Sequence, residues 1–166
     1  MRQQLVDQLM FCEDRPVPAI PWDRLYNDTI HSAPGWSFLQ NLRTRWPVAG
    51  PNWLIQRVYQ KPILRRRFIQ PDGGGFRISA IDRFFRGVAQ FREQLSVAVH
   101  ICAGQPSRGP ELMSIRHRNS ERERRNIFIE DHIVAIVSRY HKEFHVHNDT
   151  KIIFRYLPRK IGELVV

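Results

Sequence analysis

The clearest hydrophobic pattern in the chain runs through its middle, from Phe76 to Cys102. Apolar side chains recur there every three or four residues, as at Ile81, Phe84 and Val88, with arginines between them. This spacing puts the apolar positions on one face of an α-helix. The sequence therefore predicts a helix of about 25 residues that packs against a core.

The part of the chain before this helix is predicted to be helical, with a Pro-rich connector inside it and a break at its end. Prolines between Glu13 and Asp23 lack backbone donors and favour an extended connector. The run Pro71–Gly75 is the strongest break in the chain. We predict a helical N-terminal region over residues 1–72 and a second domain over residues 76–166. The predicted short helices are Gln3–Phe11, Trp36–Leu42 and Asn52–Tyr59.

After the long helix the pattern changes from helical spacing to β-branched runs. A short helix is predicted over Glu111–Ile115, and two strands are joined by a turn at Glu130–His132. Lys151–Leu157 predicts a third strand, and Pro158 opens a last helix that ends in apolar residues. The fold class is therefore α+β: a helical N-terminal part, a long helix, a short helix, a three-stranded antiparallel sheet and an incomplete C-terminal helix.

The charge of the chain adds a prediction about the kind of partner that it binds. Of 166 residues, 26 are Lys or Arg and 16 are Asp or Glu, which gives a net charge of +10, and 22 of the cations are arginine. Guanidinium groups match phosphate geometry in two-point contacts. A polyanion such as nucleic acid is the favoured partner. The alternative is a basic composition on a solvated surface.

Several other site types are excluded by the sequence. It has no P-loop, so no nucleotide or other cofactor is expected, and His141, His145 and His147 lack the companions of a metal site. No signal peptide or apolar span is present. The two cysteines, Cys12 and Cys102, fit a reducing compartment, and Cys102 is expected to be buried. We expect a soluble, intracellular protein with no membrane partner.

The segment AGQPSRGPELMSIRHRNS holds the most suggestive basic residue, Arg108. Glycines and prolines surround it and a helix follows, so an anion is favoured there by free N–H groups as well as by the guanidinium. Arg116 and Arg118 lie one helix length further on. Arg139 and Lys142 are expected in or near a hairpin loop at the end of the second strand. The alternative is an ordinary helix-and-sheet unit with surface charges.

The order of these elements resembles the first half of a tyrosine-recombinase catalytic domain. Arg108, Glu111 and Leu112 match the family's R-x-x-E-L helix start, and Lys142 matches a lysine in the last hairpin of its sheet. The resemblance implies that Arg108 clamps the scissile phosphate and that Lys142 protonates the leaving oxygen. Arg116, Arg118 and Arg139 would contact DNA.

A closer resemblance covers roughly residues 36–166. GQPSRGPELMSIRHRN, RNIFIED, RYHK, KIIFRYLP and GELVV are similar to a segment of large fungal proteins, namely telomere-linked RecQ-like helicases and related mobile-element proteins. The resemblance implies a nuclear protein that takes part in DNA recombination.

The residues needed to complete the recombinase reaction are missing from the sequence. No His-x-x-Arg occurs, and Tyr140 and Tyr156 fall on predicted strands. The sequence thus predicts a truncated, DNA-binding fragment of a recombinase-like domain that is catalytically incomplete alone. The alternative is an interaction module that docks through its apolar C-terminal end onto a helicase or another partner chain.

Overall fold

The computed structural model describes residues 1–14, 16–47, 50–104, 108–141 and 150–166. The fold is α+β, with helices first and one three-stranded antiparallel sheet near the C-terminus. In chain order the elements are α1 (Arg2–Gln4), which continues as a π-helical segment (Leu5–Leu9), two 3₁₀ turns (Trp22–Arg24 and Phe38–Gln40), α2 (Gly50–Gln60), α3 (Pro62–Phe68), α4 (Ile78–Cys102), α5 (Gly109–Met113), β1 (Ile127–Glu130), β2 (Ile133–His141), β3 (Thr150–Tyr156) and α6 (Arg159–Val165).

Most predicted elements are confirmed, and the long helix most closely, since α4 has 25 residues. The helix predicted over Trp36–Leu42 is wrong, because only the turn Phe38–Gln40 forms. The side chains of Ser37 and Gln40 cap that turn, with the Ser37 amide donating to Gln40 Oε1 at 2.8 Å. The backbone becomes extended at Asn41 and the turn ends.

The chain forms two compact units. Unit 1 comprises Met1–Ala19 and Trp46–Leu95, and unit 2 comprises Ile20–Arg45 and Ser96–Val166. The predicted break at residues 71–75 is a tight turn inside unit 1, where Ile69 and Phe76 pair as an isolated bridge. The predicted division into residues 1–72 and 76–166 stays a prediction.

Unit 1 is held by a buried arginine beside an aromatic core. The Phe11 and Phe68 rings lie 5.6 Å apart within this core. Phe11 has a left-handed backbone (φ 54°), and its carbonyl accepts from Arg57 Nε at 2.8 Å. Asp14 binds Arg57 Nη2 at 2.9 Å and Lys61 Nζ at 2.6 Å. The two cations therefore fix the chain that follows α1 onto α2.

Unit 2 is built on the sheet, in the order β1-β2-β3. The predicted hairpin turn is confirmed: Asp131 and His132 both have left-handed backbones, which suit a two-residue turn between twisted strands. Ile136 lies opposite Ile127 and Arg155 in a row that faces the core. α6 packs on this face, where a Cβ at Gly162 would lie only 3.0 Å from the Val134 side chain.

Two expectations about single features come out differently. Cys12 is buried, but Cys102 is exposed, so its predicted burial is wrong. Val99 and Ala103 are buried on the same stretch of chain, while the Cys102 side chain lies at the exposed edge of this buried face. Residues 164–166 are half-buried rather than exposed.

Among the residues that the structure describes, no helix is long and apolar enough to cross a membrane.

The Asp14 contacts predict an acid-sensitive contribution to stability. Hydrogen bonds from Lys61, and then from Arg57, lower the pKa of Asp14 from 3.8 to about 2. The ionised carboxylate therefore stabilises the folded chain above about pH 4, and this contribution is lost as the pH falls through 2. We expect Asp14→Asn to lower the melting temperature by a few degrees at pH 6, with the difference from wild type vanishing toward pH 2.

Thermal unfolding followed by circular dichroism across this pH range measures the effect. Asp82→Asn, which removes an exposed carboxylate of α4, is the control. A difference that stays constant between pH 6 and pH 2 would contradict the assignment.

Candidate nucleic-acid interface

A basic cleft lies within unit 2, between the residues around α5, the segment before β1 and the outer face of the sheet. Its volume is about 1380 Å³. Its floor includes Phe128, Val137, Ile152 and Phe154 from the sheet. Its walls carry five arginines: Arg108, Arg116, Arg122, Arg124 and Arg125.

Arg108 occupies the position before the first residue of α5. Its backbone is extended (φ −68°, ψ 153°) and the residue is exposed at the cleft. The prolines and glycines around Arg108 were predicted to form one turn, but Gly109 and Pro110 belong to α5. Because α5 has only five residues and Pro110 lacks an N–H group, the helix itself adds little to anion binding. Any attraction at this point comes mainly from the guanidinium.

The orientation of α5 is set by Glu111, one turn after Arg108. Glu111 Oε2 accepts from Arg155 Nη2 at 2.8 Å, and both side chains are largely buried. Arg155 also donates to Ser138 Oγ, across the β2–β3 ladder. A buried ion pair with a further hydrogen bond is specific in geometry. The pair therefore ties the start of α5 to the middle of the sheet.

Arg116 lines the cleft but is already bound within the protein. Its side chain forms an ion pair with Glu123, and its Nε donates to Ser114 O at 3.2 Å. Its amide donates to Asn126 Oδ1 at 2.7 Å. These bonds join the two sides of the loop that leads into β1. Arg116 is thus first a structural residue of the cleft wall.

The remaining predicted residues are only partly described. Arg118 is exposed, in the same loop as Arg116, and it does not line the cleft. Arg139 lies in β2, with its backbone opposite Ile152. Lys142 lies outside the described residues. The roles predicted for these residues stay predictions.

Three arginines of the cleft, Arg122, Arg124 and Arg125, were absent from the predicted set. Arg122 and Arg124 are both exposed on the segment that precedes β1. In the sequence they belong to SERERRN, a charged run that is typical of a solvated turn. Their alternation with Glu121 and Glu123 hides the net positive charge that the folded loop presents.

Arg125, the residue after Arg124, is buried and has a different role. It is 3% exposed, and its guanidinium lies 4.5 Å from the Trp36 ring centre and 5.0 Å from that of Phe128. It donates to Asn27 Oδ1 at 3.1 Å and to the Asp28 carbonyl. Burial lowers the pKa of Arg125 and the Asp28 carboxylate opposes this. An arginine remains charged at neutral pH under such conditions.

Tyr156 lies beside the cleft floor and is held by an acid. Its hydroxyl donates to Glu130 Oε2 at 2.9 Å. This hydrogen bond, with burial and nearby acids, raises the pKa of Tyr156 above 10.0. The phenol is therefore harder to ionise than a free tyrosine. Within the described ranges, no group of three or more His, Cys, Asp or Glu side chains could hold a metal ion.

Comparison with known proteins adds no identification. No protein-family model matches the chain, and no curated protein or solved structure is significantly similar to it.

Removal of the Glu111 charge is expected to destabilise the cleft. Glu111→Gln leaves the buried Arg155 cation without its counter-charge, and the loss of one partner of a buried pair costs about 3 kcal/mol. Glu163→Gln is the matched control, because Glu163 pairs with Arg159 on the surface of α6 at 3.6 Å. The control is expected to cost no more than about 0.5 kcal/mol.

Urea unfolding gives both free energies of unfolding. Equal costs for the two variants would show that the Glu111–Arg155 pair has no special structural role.

Proposed function

We propose that this protein binds DNA through its backbone phosphates, along the basic cleft of unit 2. The observation that carries the proposal is the meeting of exposed arginines from two separate segments, Arg108 on one side and Arg122 and Arg124 on the other, at a single cleft. Guanidinium groups in such a concave site favour a chain of phosphates, since each fork can hold two oxygens of one phosphate.

The acidic residues of the cleft support this assignment because each has a partner within the protein. Glu111 pairs with Arg155, and Glu123 pairs with Arg116. Glu130 accepts the hydrogen bond of Tyr156. Arg155 and Arg116 largely balance the negative charge of Glu111 and Glu123, whereas Glu130 keeps its charge. The five arginines of the cleft still exceed its three acids, so the cleft favours an anionic ligand.

The proposal extends to the kind of protein from which such a cleft derives. We infer a recombinase-like domain of a nuclear fungal helicase or mobile-element protein, with Arg108 as its phosphate clamp and Lys142 as its proton donor. The support is the sequence resemblance, together with the placement of Arg108 directly before α5 and of Glu111 in its first turn. Without a His-x-x-Arg and a nucleophilic tyrosine, the chain alone would bind DNA and leave it uncut.

The alternative of a docking module rests on the apolar C-terminal residues. Leu164, Val165 and Val166 are half-buried within unit 2, so their exposed area is smaller than the docking hypothesis assumes. DNA binding is therefore the function that we develop.

Loss of the exposed cleft arginines should weaken DNA binding and its dependence on salt. For duplex DNA the logarithm of the affinity falls with the logarithm of salt concentration, with a slope near −0.9 for each phosphate contacted. We expect the triple variant Arg108→Ala, Arg122→Ala, Arg124→Ala to reduce the magnitude of this slope by about 3. Fluorescence anisotropy with a labelled mixed-sequence duplex at several salt concentrations measures it.

A matched control removes the same charge from elsewhere. Arg83, Arg86 and Arg92 are exposed on α4, and their combined change to alanine alters the net charge equally. If both triple variants lose the same affinity and slope, the attraction is a general effect of net charge and the cleft is not the binding site.

The missing catalytic residues predict binding without cleavage. Incubation of the protein with supercoiled plasmid, without added cofactor, should give neither relaxed plasmid nor a covalent protein–DNA adduct on a denaturing gel. A covalent adduct would overturn the conclusion that the chain is catalytically incomplete.

A further inference from the structure

The outward face of β3 is apolar where a solvated strand would be polar. Ile152 and Phe154 are 57% and 56% exposed, and Tyr156 is 51% exposed. Arg155, between Phe154 and Tyr156 in sequence, points to the opposite face and is buried. Successive side chains of a strand alternate between faces, so three outward positions in a row carry apolar or aromatic groups. A sheet face of this kind indicates a binding surface.

This apolar face and the arginine walls belong to one cleft. Ile152 and Phe154 form part of its floor beside Val137 and Phe128, while Arg122 and Arg124 stand at its wall. A ligand that fills the cleft must therefore present a flat apolar surface and a negative charge at once. This charge complementarity disfavours a purely apolar protein segment.

Unpaired nucleotides have this combination of properties. Each joins a flat base, whose faces stack on aromatic rings, to an anionic phosphate. In a duplex the base faces are covered by neighbouring base pairs, so an exposed phenylalanine on the cleft floor adds nothing to duplex binding. The floor is of use only to a strand whose bases are open.

We propose that the cleft is a site for single-stranded DNA, in which a base stacks on Phe154 while the flanking phosphates bind Arg122 and Arg124. This inference rests on the proposed DNA-binding function and specifies its ligand. Tyr156 stands two residues along the same face, with its hydroxyl fixed by Glu130. The Glu130 carboxylate repels phosphates from this end of the face. The backbone of the strand therefore follows the arginine wall.

The test compares a labelled oligo(dT) with a duplex of the same length by fluorescence anisotropy. Loss of one stacking ring is expected to weaken single-strand binding roughly tenfold. Phe154→Ala and Phe154→Leu should both show this loss with duplex binding unchanged, and Phe154→Trp should retain single-strand binding. Leucine keeps the apolar area without the ring face, so it separates stacking from simple hydrophobic contact. Phe85→Ala, at a phenylalanine 61% exposed on α4, is the control and should have no effect.

The outcomes distinguish this inference from the function on which it rests. If oligo(dT) and duplex bind equally well and the Phe154 variants change neither, the stacking site is wrong while DNA binding stands. If neither DNA binds in a manner that depends on the cleft arginines, the proposed function itself fails. If light scattering shows self-association that Phe154→Ala abolishes, the face is a protein contact and the inference is overturned.

Discussion

The cleft depends on one buried cation, the guanidinium of Arg125 between the rings of Trp36 and Phe128. It binds the backbone and side chains around Asn27 and Asp28, which come from a distant part of the chain, and so holds that segment beside β1. Neighbouring side chains of an extended segment point in opposite directions. Because Arg125 is drawn inward, Arg124 is left outward at the cleft wall.

Arginine has two roles in this chain. Buried arginines join segments of the fold, and exposed arginines supply the charge of the cleft. Arg57, Arg125 and Arg155 are buried and hydrogen-bonded to carbonyl, hydroxyl or carboxylate oxygens. Each joins two segments of the chain, since a planar donor with five N–H groups can bridge several acceptors. The net charge of +10 therefore overstates the charge available to a ligand, and the exposed arginines of one cleft are the more informative measure.

The sequence predicts the elements whose signals are local and misses the features that depend on tertiary contacts. The repeat at 3.6 residues determines α4, and the β-branched runs around Asp131 and His132 determine the hairpin. The bond between Arg116 and Glu123 could not be predicted from spacing, because only the folded loop brings them together. The exposure of Phe154 was equally hard to predict. KIIFRY has apolar residues at adjacent positions, so alternation alone does not show which of them face solvent.

The surroundings of Tyr156 bear on whether this residue could act on the DNA strand that we propose for the cleft. The Tyr156 hydroxyl donates to Glu130 Oε2 at 2.9 Å, and this hydrogen bond raises the pKa of the phenol. The neighbouring anion would also repel a phosphate that approached this oxygen. In the proposed complex the arginines and Phe154 would instead make contacts that need no change of charge or ring during binding. The geometry around Tyr156 thus disfavours an attack by this residue on a phosphate of the proposed strand.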